Sequence, residues 1–198
     1  MVSCLALLPF FIWAGALSAA EQQSPREAER ETSFRVYLVQ KDDTLRSIAA
    51  QPGVYNDPLK WTLIYATNRE DLQKLKIPPQ EIPTKPLDSG TVLAIMTPGK
   101  AGKRQKPAGK WVVNLLSSQN EANLVPLSIR MIDSGYFTYI SRGDGLKADW
   151  LRLRTGFFSD EAVAKAAGSK VLTEMGLSEF WVIEADEAEC AAYHGFTD

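Results

Sequence analysis

The sequence predicts an α+β protein made of two small domains, and three features of the chain support this prediction. The 198 residues are 45% hydrophobic, 23% charged and 10% aromatic, a composition typical of globular domains. Two stretches, 21–33 and 97–110, contain no large apolar side chain and are interpreted as flexible linkers, the first polar and the second basic. The segments between them show strand-like and helix-like periodicity in turn, which predicts domains at 34–96 and 111–185 and an acidic tail at 186–198.

Residues 1–20 have the outline of a secretory signal peptide. They contain no charged side chain, and the apolar run at 5–17 ends in the small residues Ser18, Ala19 and Ala20. We expect cleavage after Ala20, so that the remainder is exported from the cytoplasm. An uncleaved membrane anchor is the alternative, and the run is short for the ~20 residues that a spanning helix needs.

Cofactor chemistry has little support in this composition. The cysteines are Cys4 and Cys190, and cleavage leaves only Cys190, so no disulfide can form within the mature chain. With one cysteine and one histidine, His194, a zinc site of Cys and His ligands cannot be assembled. We predict no cofactor and no metal, and we interpret the tail around Cys190 and His194 as a disordered end rather than a catalytic pair. The formal net charge of -2 argues against a nucleic-acid binder.

The first domain is predicted to have the order βααβ. Its elements are a strand at 35–39, a helix at 44–50, a second helix through 61–65 and a last strand at 91–95. In the first helix, Leu45, Ile48 and Ala49 recur at the spacing of one helix face, and Asp43 stands at the expected N-cap.

The second domain is predicted to have the order βαββαβ. Its elements are strands at 111–116, 136–140, 149–155 and 180–183, with helices through 122–132 and 163–172 and Ser159 as an N-cap. This order implies a four-stranded antiparallel sheet of the ferredoxin or RNP type, with both helices on one face and the other face open.

Alternation with period two determines which side chains share a face of that sheet. In the segment 149–155 the leucines point to one face, whereas Arg152 and Arg154 point to the other, together with Trp150 and Asn114. If the helices cover the leucine side, the open face carries an aromatic ring, two guanidinium groups and an amide. Such a face suits a carbohydrate that bears carboxylates. A solvated face with one structural tryptophan is the plainer alternative.

The runs YLVQKDDTLRSIAA, WTLIYATN and KPLDSGTVLAI in the first domain resemble the LysM pattern. That pattern is roughly Tyr-x-Val-x-x-Gly-Asp-Thr-Leu-x-x-Ile-Ala, then Ile-x-x-x-Asn, then Pro-Gly-x-x-Leu-x-Ile. The resemblance spans nearly the whole domain, although Asp42 stands at the usual Gly and Ser89-Gly90 replaces Pro-Gly. It implies a glycan groove with two walls, formed by Asp42, Asp43, Thr44 and Leu45 on one side and by Ile82, Pro83, Leu87 and Ser89 on the other. A simple helix cap at Asp43 and Thr44 is the plainer alternative.

The runs WVVNLLSSQNEANL and WLRLRTGFFSDEAVAKAA in the second domain resemble the pattern of SPOR domains, the sporulation-related repeat. The second run is the clearer match, because it follows Tyr-Arg-Val-x-x-Gly-x-Phe with Trp150, Arg152, Gly156 and Phe158. The resemblance implies that glycan strands bind at the open sheet face, with contacts from Asn114, Trp150, Arg152 and Arg154.

Together the two resemblances imply a non-catalytic peptidoglycan-binding protein of the bacterial periplasm or cell envelope. The SPOR resemblance implies a preference for glycan strands stripped of stem peptides, as at division septa. The expected partners are peptidoglycan glycan strands and division or wall-remodelling proteins, without nucleic acid, and with a membrane only if the N-terminal segment stays uncleaved. Two weak modules on a flexible linker gain avidity through effective concentration.

Two alternatives remain open at this point. One is an envelope adaptor that binds protein partners, and the other is an accessory subunit of a cell-wall hydrolase. An enzyme is not expected, because both folded domains match binding modules and no third domain remains to hold a catalytic acid.

Overall fold

The computed structural model describes residues 34–97, 109–143 and 148–197. In these ranges six strands form two antiparallel sheets, and six α-helices accompany them. The predicted α+β class is confirmed. The predicted signal peptide, the polar linker at 21–33 and most of the basic linker lie outside the described residues. No helix in the described ranges is both long enough and apolar enough to cross a membrane.

The first unit pairs its first and last strands in a two-stranded sheet. Its elements are β1 (Phe34–Leu38), α1 (Leu45–Ala50), a 3-10 turn (Pro58–Lys60), α2 (Trp61–Thr67), α3 (Arg69–Lys74) and β2 (Val92–Met96). Strand β1 runs antiparallel to β2, with Phe34 opposite Met96 and Leu38 opposite Val92. The predicted strands and helices are present in the predicted order, and α3 is an additional short helix.

Helix α1 begins one residue later than its sequence signal indicated. Thr44, not Asp43, is the N-cap, because its hydroxyl accepts from the Ser47 amide at 3.0 Å while the Ser47 hydroxyl accepts from the Thr44 amide at 2.9 Å. The Asp43 carboxylate instead accepts from the Tyr37 hydroxyl at 2.7 Å and from the Gln40 amide at 2.8 Å. Asp43 therefore ties the end of β1 to the loop that enters the helix.

The second unit forms the four-stranded sheet. Its elements are β3 (Trp111–Ser118), α4 (Val125–Asp133), β4 (Tyr139–Arg142), β5 (Leu151–Phe158), α5 (Glu161–Met175) and β6 (Trp181–Glu184). The strand order is β4-β5-β3-β6 with every pair antiparallel, which confirms the predicted βαββαβ order. Asp160 rather than Ser159 caps α5, and Gly176 ends it in the left-handed conformation at φ 64.

The C-terminal segment is folded, so the expectation of a disordered tail is wrong. Helix α6 (Glu187–Tyr193) is capped by Asp186, whose carboxylate accepts from the Glu189 amide at 2.7 Å, and a 3-10 turn (His194–Phe196) follows it. The side chains of Tyr193 and Phe196 are buried. Their removal from water supplies the free energy that orders this segment.

The two units share one hydrophobic cluster, which joins helices α1 and α2 to helix α4 and to the four-stranded sheet. The Tyr65 hydroxyl donates to Asp133 at 3.0 Å, and the Trp61 indole donates to Glu121 at 3.0 Å. Arg46 pairs with the other oxygen of Glu121 at 3.0 Å. Apolar and polar contacts thus hold the two units together.

Candidate functional site

The two loops predicted to form the walls of a groove lie side by side in the first unit. The Leu87 amide donates to the Asp43 carbonyl at 2.8 Å, and the Arg46 amide donates to the Pro83 carbonyl at 2.9 Å. These two backbone hydrogen bonds join the segment around Asp43 to the segment at 82–89. We call this continuous surface the loop surface, and define it by residues 41–46 and 82–89.

Only part of the loop surface can touch a ligand. Asp42 and Ser89 are exposed, whereas Asp43 and Thr44 are half-buried and already hold other groups. The apolar members predicted as groove walls are buried instead, and these are Leu45, Ile82, Pro83 and Leu87. The prediction of direct sugar contact is corrected for these four, because the first unit is small and uses them as its own core.

Asp42 adopts a left-handed backbone conformation, with φ at 66°. A residue without Cβ occupies this region most easily, and Asp is one of the few others that tolerate it. The carboxylate of Asp42 is consequently held outward at the tip of a tight turn.

The second candidate site is a polar row across the four-stranded sheet. Arg154 of β5 lies opposite Asn114 of β3 and opposite Tyr139 of β4, and Asn114 lies opposite Trp181 of β6. Directly opposed residues of antiparallel strands share a face. We call this side of the sheet the polar face, and define it by Asn114, Tyr139, Arg154 and Trp181.

The polar face is covered, so the prediction that Asn114 and Arg154 are exposed is wrong. Helix α6 lies across it, and the Glu189 carboxylate pairs with the Arg154 guanidinium. The Arg154 and Glu189 side chains are only 2% and 7% exposed. Val112 and Tyr193 pack together in the apolar cluster beside this pair. The sequence pattern correctly separated the two faces, but it could not show that the C-terminal segment returns to cover the second one.

The other two predicted contacts lie towards the end of the sheet. Trp150 precedes β5 and is 38% exposed, and Arg152 is half-buried. Arg152 lies opposite Ser117 of β3 and Ser141 of β4. The structure thus separates the four predicted residues into a covered pair, Asn114 and Arg154, and a more accessible pair.

The covered site contains several polar atoms that lack a hydrogen-bond partner within the protein. They are Asn114 Oδ1, Tyr139 Oη, Ser141 Oγ, Arg154 Nε and Glu189 Oε1. Burial raises the pKa of the Tyr139 hydroxyl well above 10.0, and the Glu189 charge raises it further. Buried polar groups cost free energy when they stay unpaired, so the ion pair between Arg154 and Glu189 matters to the stability of this region.

Sequence reasoning missed three residues of this site: Tyr139, Trp181 and Glu189. Tyr139 and Trp181 were placed on strands, but their register beside Arg154 depends on strand order, which the pattern of one strand does not contain. Glu189 had a readable signal, because Asp186 followed by Glu at the third helical position is the pattern of a helix start. The acidic composition of the tail favoured a disordered end instead, so this helix start was not predicted.

Neither metal nor thiol chemistry is apparent in the described ranges. They contain no group of three or more His, Cys, Asp or Glu side chains placed to hold a metal ion. Burial, followed by the charges of nearby carboxylates, raises the pKa of the Cys190 thiol, which disfavours the reactive thiolate. The His194 ring makes an edge contact with Phe157.

The fold and its two candidate surfaces define an α+β protein with an exposed polar turn on one unit and a covered guanidinium on the other. No protein-family model, no curated protein and no solved structure matches this chain.

Proposed function

We propose that this chain is a non-catalytic peptidoglycan-binding protein of the bacterial envelope, exported by its N-terminal segment and built from a LysM-like and a SPOR-like unit. The observation that supports this proposal most directly is the meeting of the two loops in the first unit. The Leu87 and Arg46 amides hold them together, which is the arrangement that the LysM resemblance requires.

The chemistry of the loop surface is suited to weak sugar binding. Asp42 offers a carboxylate that accepts from sugar hydroxyls, and Ser89 offers a hydroxyl that both donates and accepts. The buried side chains of Leu45 and Ile82 support the loops from beneath, so the polar groups are positioned before a ligand arrives. Binding of this kind needs no cofactor and no catalytic acid.

The proposed ligand is the glycan strand of the cell wall, and division or wall-remodelling proteins are the proposed protein partners. Trp150 and Trp181 are both partly exposed at the margin of the four-stranded sheet. Their rings offer flat apolar surfaces for the faces of sugar rings. A preference for strands without stem peptides rests on the SPOR resemblance.

Sedimentation with purified sacculi tests this proposal, using the full chain after export. Ser89→Tyr places a bulky ring on the loop surface, and we expect about tenfold weaker binding, a loss of ~1.4 kcal/mol. Ser178→Tyr is the matched control, because Ser178 is also an exposed loop serine but lies in the second unit, after α5. Equal binding by wild type and the Ser89→Tyr variant would contradict a role for the loop surface, and release of soluble muropeptides would contradict a non-catalytic role.

A second candidate function, an envelope adaptor for protein partners, is favoured by one observation. The outer face of the two-stranded sheet is apolar and exposed, with Val36 at 76%, Val92 at 62% and Leu38 at 54%. Apolar patches on a protein surface often mark protein contacts. If sacculi do not bind the chain, and Val36→Lys abolishes recovery of an envelope protein that wild type recovers, the adaptor is the better description.

A further inference from the structure

The C-terminal segment, residues 186–197, lies on the sheet face that carries Arg154, and we call it the C-terminal cover. We propose that Arg154, with the Tyr139 hydroxyl beside it, forms a carboxylate-binding site that Glu189 of the cover occupies. A carboxylate of the glycan strand takes the place of Glu189 when the cover leaves. This inference rests on the proposed function and adds to it the ligand group and the regulation of the second unit.

The sheet builds this site from two neighbouring strands, β5 and β4, with β3 on the other side of β5. Arg154 lies in β5, between Asn114 of β3 and Tyr139 of β4. Side chains directly opposed on antiparallel strands have Cβ atoms about 5 Å apart, so the guanidinium and the tyrosine hydroxyl converge on one spot. The Asn114 amide N–H donates to Ser117 at 3.1 Å instead. A guanidinium in a water-poor site is the strongest side-chain partner for a carboxylate.

A carboxylate already occupies the site, and it leaves one guanidinium donor and one of its own oxygens unpaired. Glu189 pairs with Nη1 of Arg154, but Arg154 Nε and Glu189 Oε1 have no partner within the protein. A carboxylate that can orient freely accepts from Nε and Nη1 of one guanidinium together. Glu189 is fixed to its helix and does not reach that arrangement. A ligand carboxylate therefore replaces it without losing a hydrogen bond.

The cover is a small element, anchored mainly by the buried side chains of Glu189, Tyr193 and Phe196. Helix α6 has 7 residues, too few for a helix to be stable by itself in water. The Tyr193 hydroxyl donates to the Ile140 carbonyl at 2.8 Å, and Lys60 of the first unit donates to the Ala192 carbonyl at 2.9 Å. Residues 186–197 take part in none of the strand pairings, so the cover can leave the sheet without breaking one. Elements of this size are the ones that open locally in native proteins.

Departure of the cover extends an existing exposed surface rather than creating an isolated hole. Trp181 is 50% exposed and lies in the same row as Asn114 and Arg154. Its ring offers a sugar a place to stack in the same row as the guanidinium, two strands away from it. Carboxyl groups on alternate sugars of a glycan strand then meet Arg154 while the neighbouring ring contacts Trp181.

The experiment compares two probes, glycan strands from amidase-treated sacculi and the same strands with their carboxyl groups methyl-esterified. The full exported chain is tested as wild type, as Glu189→Gln and as Glu189→Gln/Arg154→Met. Loss of the Glu189 charge raises the uncovered fraction, and the apparent affinity rises by the same factor, about tenfold. We expect this gain only on strands with free carboxyl groups, and no gain in the double variant, which opens the cover but lacks the guanidinium.

Hydrogen exchange of α6 shows whether the cover has opened in each variant, and circular dichroism shows whether the chain is folded. If Glu189→Gln does not fold, Asp186→Ala replaces it, because this change weakens the cap of α6 and leaves Glu189 and Arg154 in place. It must then raise the apparent affinity for strands with free carboxyl groups, by a smaller factor. Faster exchange of α6 without tighter binding, or a gain that persists on esterified strands, overturns the inference. Failure of every variant, wild type included, to bind any wall preparation overturns the proposed function instead.

Discussion

The two faces of the four-stranded sheet are buried by different means. One face, which we call the apolar face, carries Val113, Ile140 and Leu153, each fully buried in the cluster that includes helices α4 and α5. The polar face carries the row around Arg154 and is covered by the 7 residues of α6. The apolar face is closed by a continuous apolar surface, whereas the polar face is covered around Arg154 but leaves Trp181 half-exposed at its edge.

This difference shows what kind of cover each surface requires. Apolar side chains gain free energy against any apolar neighbour of suitable shape, so long helices with many such residues bury them securely. A guanidinium is buried only at a large desolvation cost unless a carboxylate meets it, so Arg154 depends on one residue, Glu189. Because the burial of Arg154 depends on Glu189 alone, a second carboxylate that competes with Glu189 for Arg154 can open this face.

The largest effect is expected on the apolar face. Leu153→Ala removes a fully buried side chain and leaves a cavity between the sheet and the helices, which costs about 3 kcal/mol of unfolding free energy. Urea denaturation followed by far-UV circular dichroism measures this loss. A loss well below 1 kcal/mol would show that the apolar face is loosely packed, and the comparison between the two faces would fail.

A smaller global effect is expected from Arg154→Met on the polar face. A carboxylate that stays buried without its guanidinium costs about 3–5 kcal/mol. Because α6 can leave the sheet and return Glu189 to water, we expect a smaller loss than for Leu153→Ala, together with faster hydrogen exchange in α6. The double variant Arg154→Met/Glu189→Met is the control, and it should recover stability relative to either single change. A loss of unfolding free energy of about 3–5 kcal/mol would mean that the cover does not open.

Alkaline pH should act on the polar face. Burial, followed by nearby carboxylates, raises the pKa of Tyr139 and Tyr193, so the folded chain keeps these protons after the unfolded chain has lost them above about pH 10. Unfolding free energy therefore falls as pH rises, by up to about 1.4 kcal/mol per pH unit for each tyrosine. Lys60, whose pKa burial lowers, acts in the opposite sense but completes its titration near its ordinary value of 10.5.

Denaturation between pH 10.5 and 12 in wild type and in Tyr193→Phe measures this dependence. The variant should show the shallower slope, because it has one buried hydroxyl fewer to titrate. Identical slopes of unfolding free energy against pH would indicate that Tyr193 is already free of the sheet in solution. The polar face would then not be covered as described.

The smallest effect is expected at the helix caps. Asp186→Ala removes the carboxylate that accepts from the Glu189 amide, and loss of such a cap costs about 1 kcal/mol. We expect hydrogen exchange to accelerate in α6 alone. Asp160→Ala removes the matching cap of α5, and since α5 packs on the apolar face, its effect should appear in the stability of the whole sheet. A global effect from Asp186→Ala would show that the two faces unfold as one.

Local sequence signals located most elements, but residues at their ends needed the structure. The alternation of Leu and Arg in β5 predicted two chemically distinct faces, and the structure has them. The start of α1 was misplaced by one residue, because Asp43 and Thr44 are both good caps and only the Tyr37 hydroxyl, which binds Asp43, decides between them. Ser159 and Asp160 presented the same ambiguity at α5.

The candidate sites were less predictable than the elements. In the first unit the two loops lie side by side, yet Leu45 and Ile82 are core residues rather than ligand contacts. Whether a loop leucine faces a ligand or the interior depends on how much other apolar surface the unit can bury. That balance belongs to the whole fold and is not present in a local motif.

The sequence by itself determined the element types, the βαββαβ order and the side chains on each face of the sheet, because these follow from local periodicity and backbone geometry. Only the tertiary structure decided that residues 186–197 return to the sheet, that Glu189 meets Arg154 and that the two units share a core. Such contacts join residues far apart in the chain, and their free energy depends on shape and desolvation in three dimensions. No residue spacing along the sequence determines the free energy of these contacts.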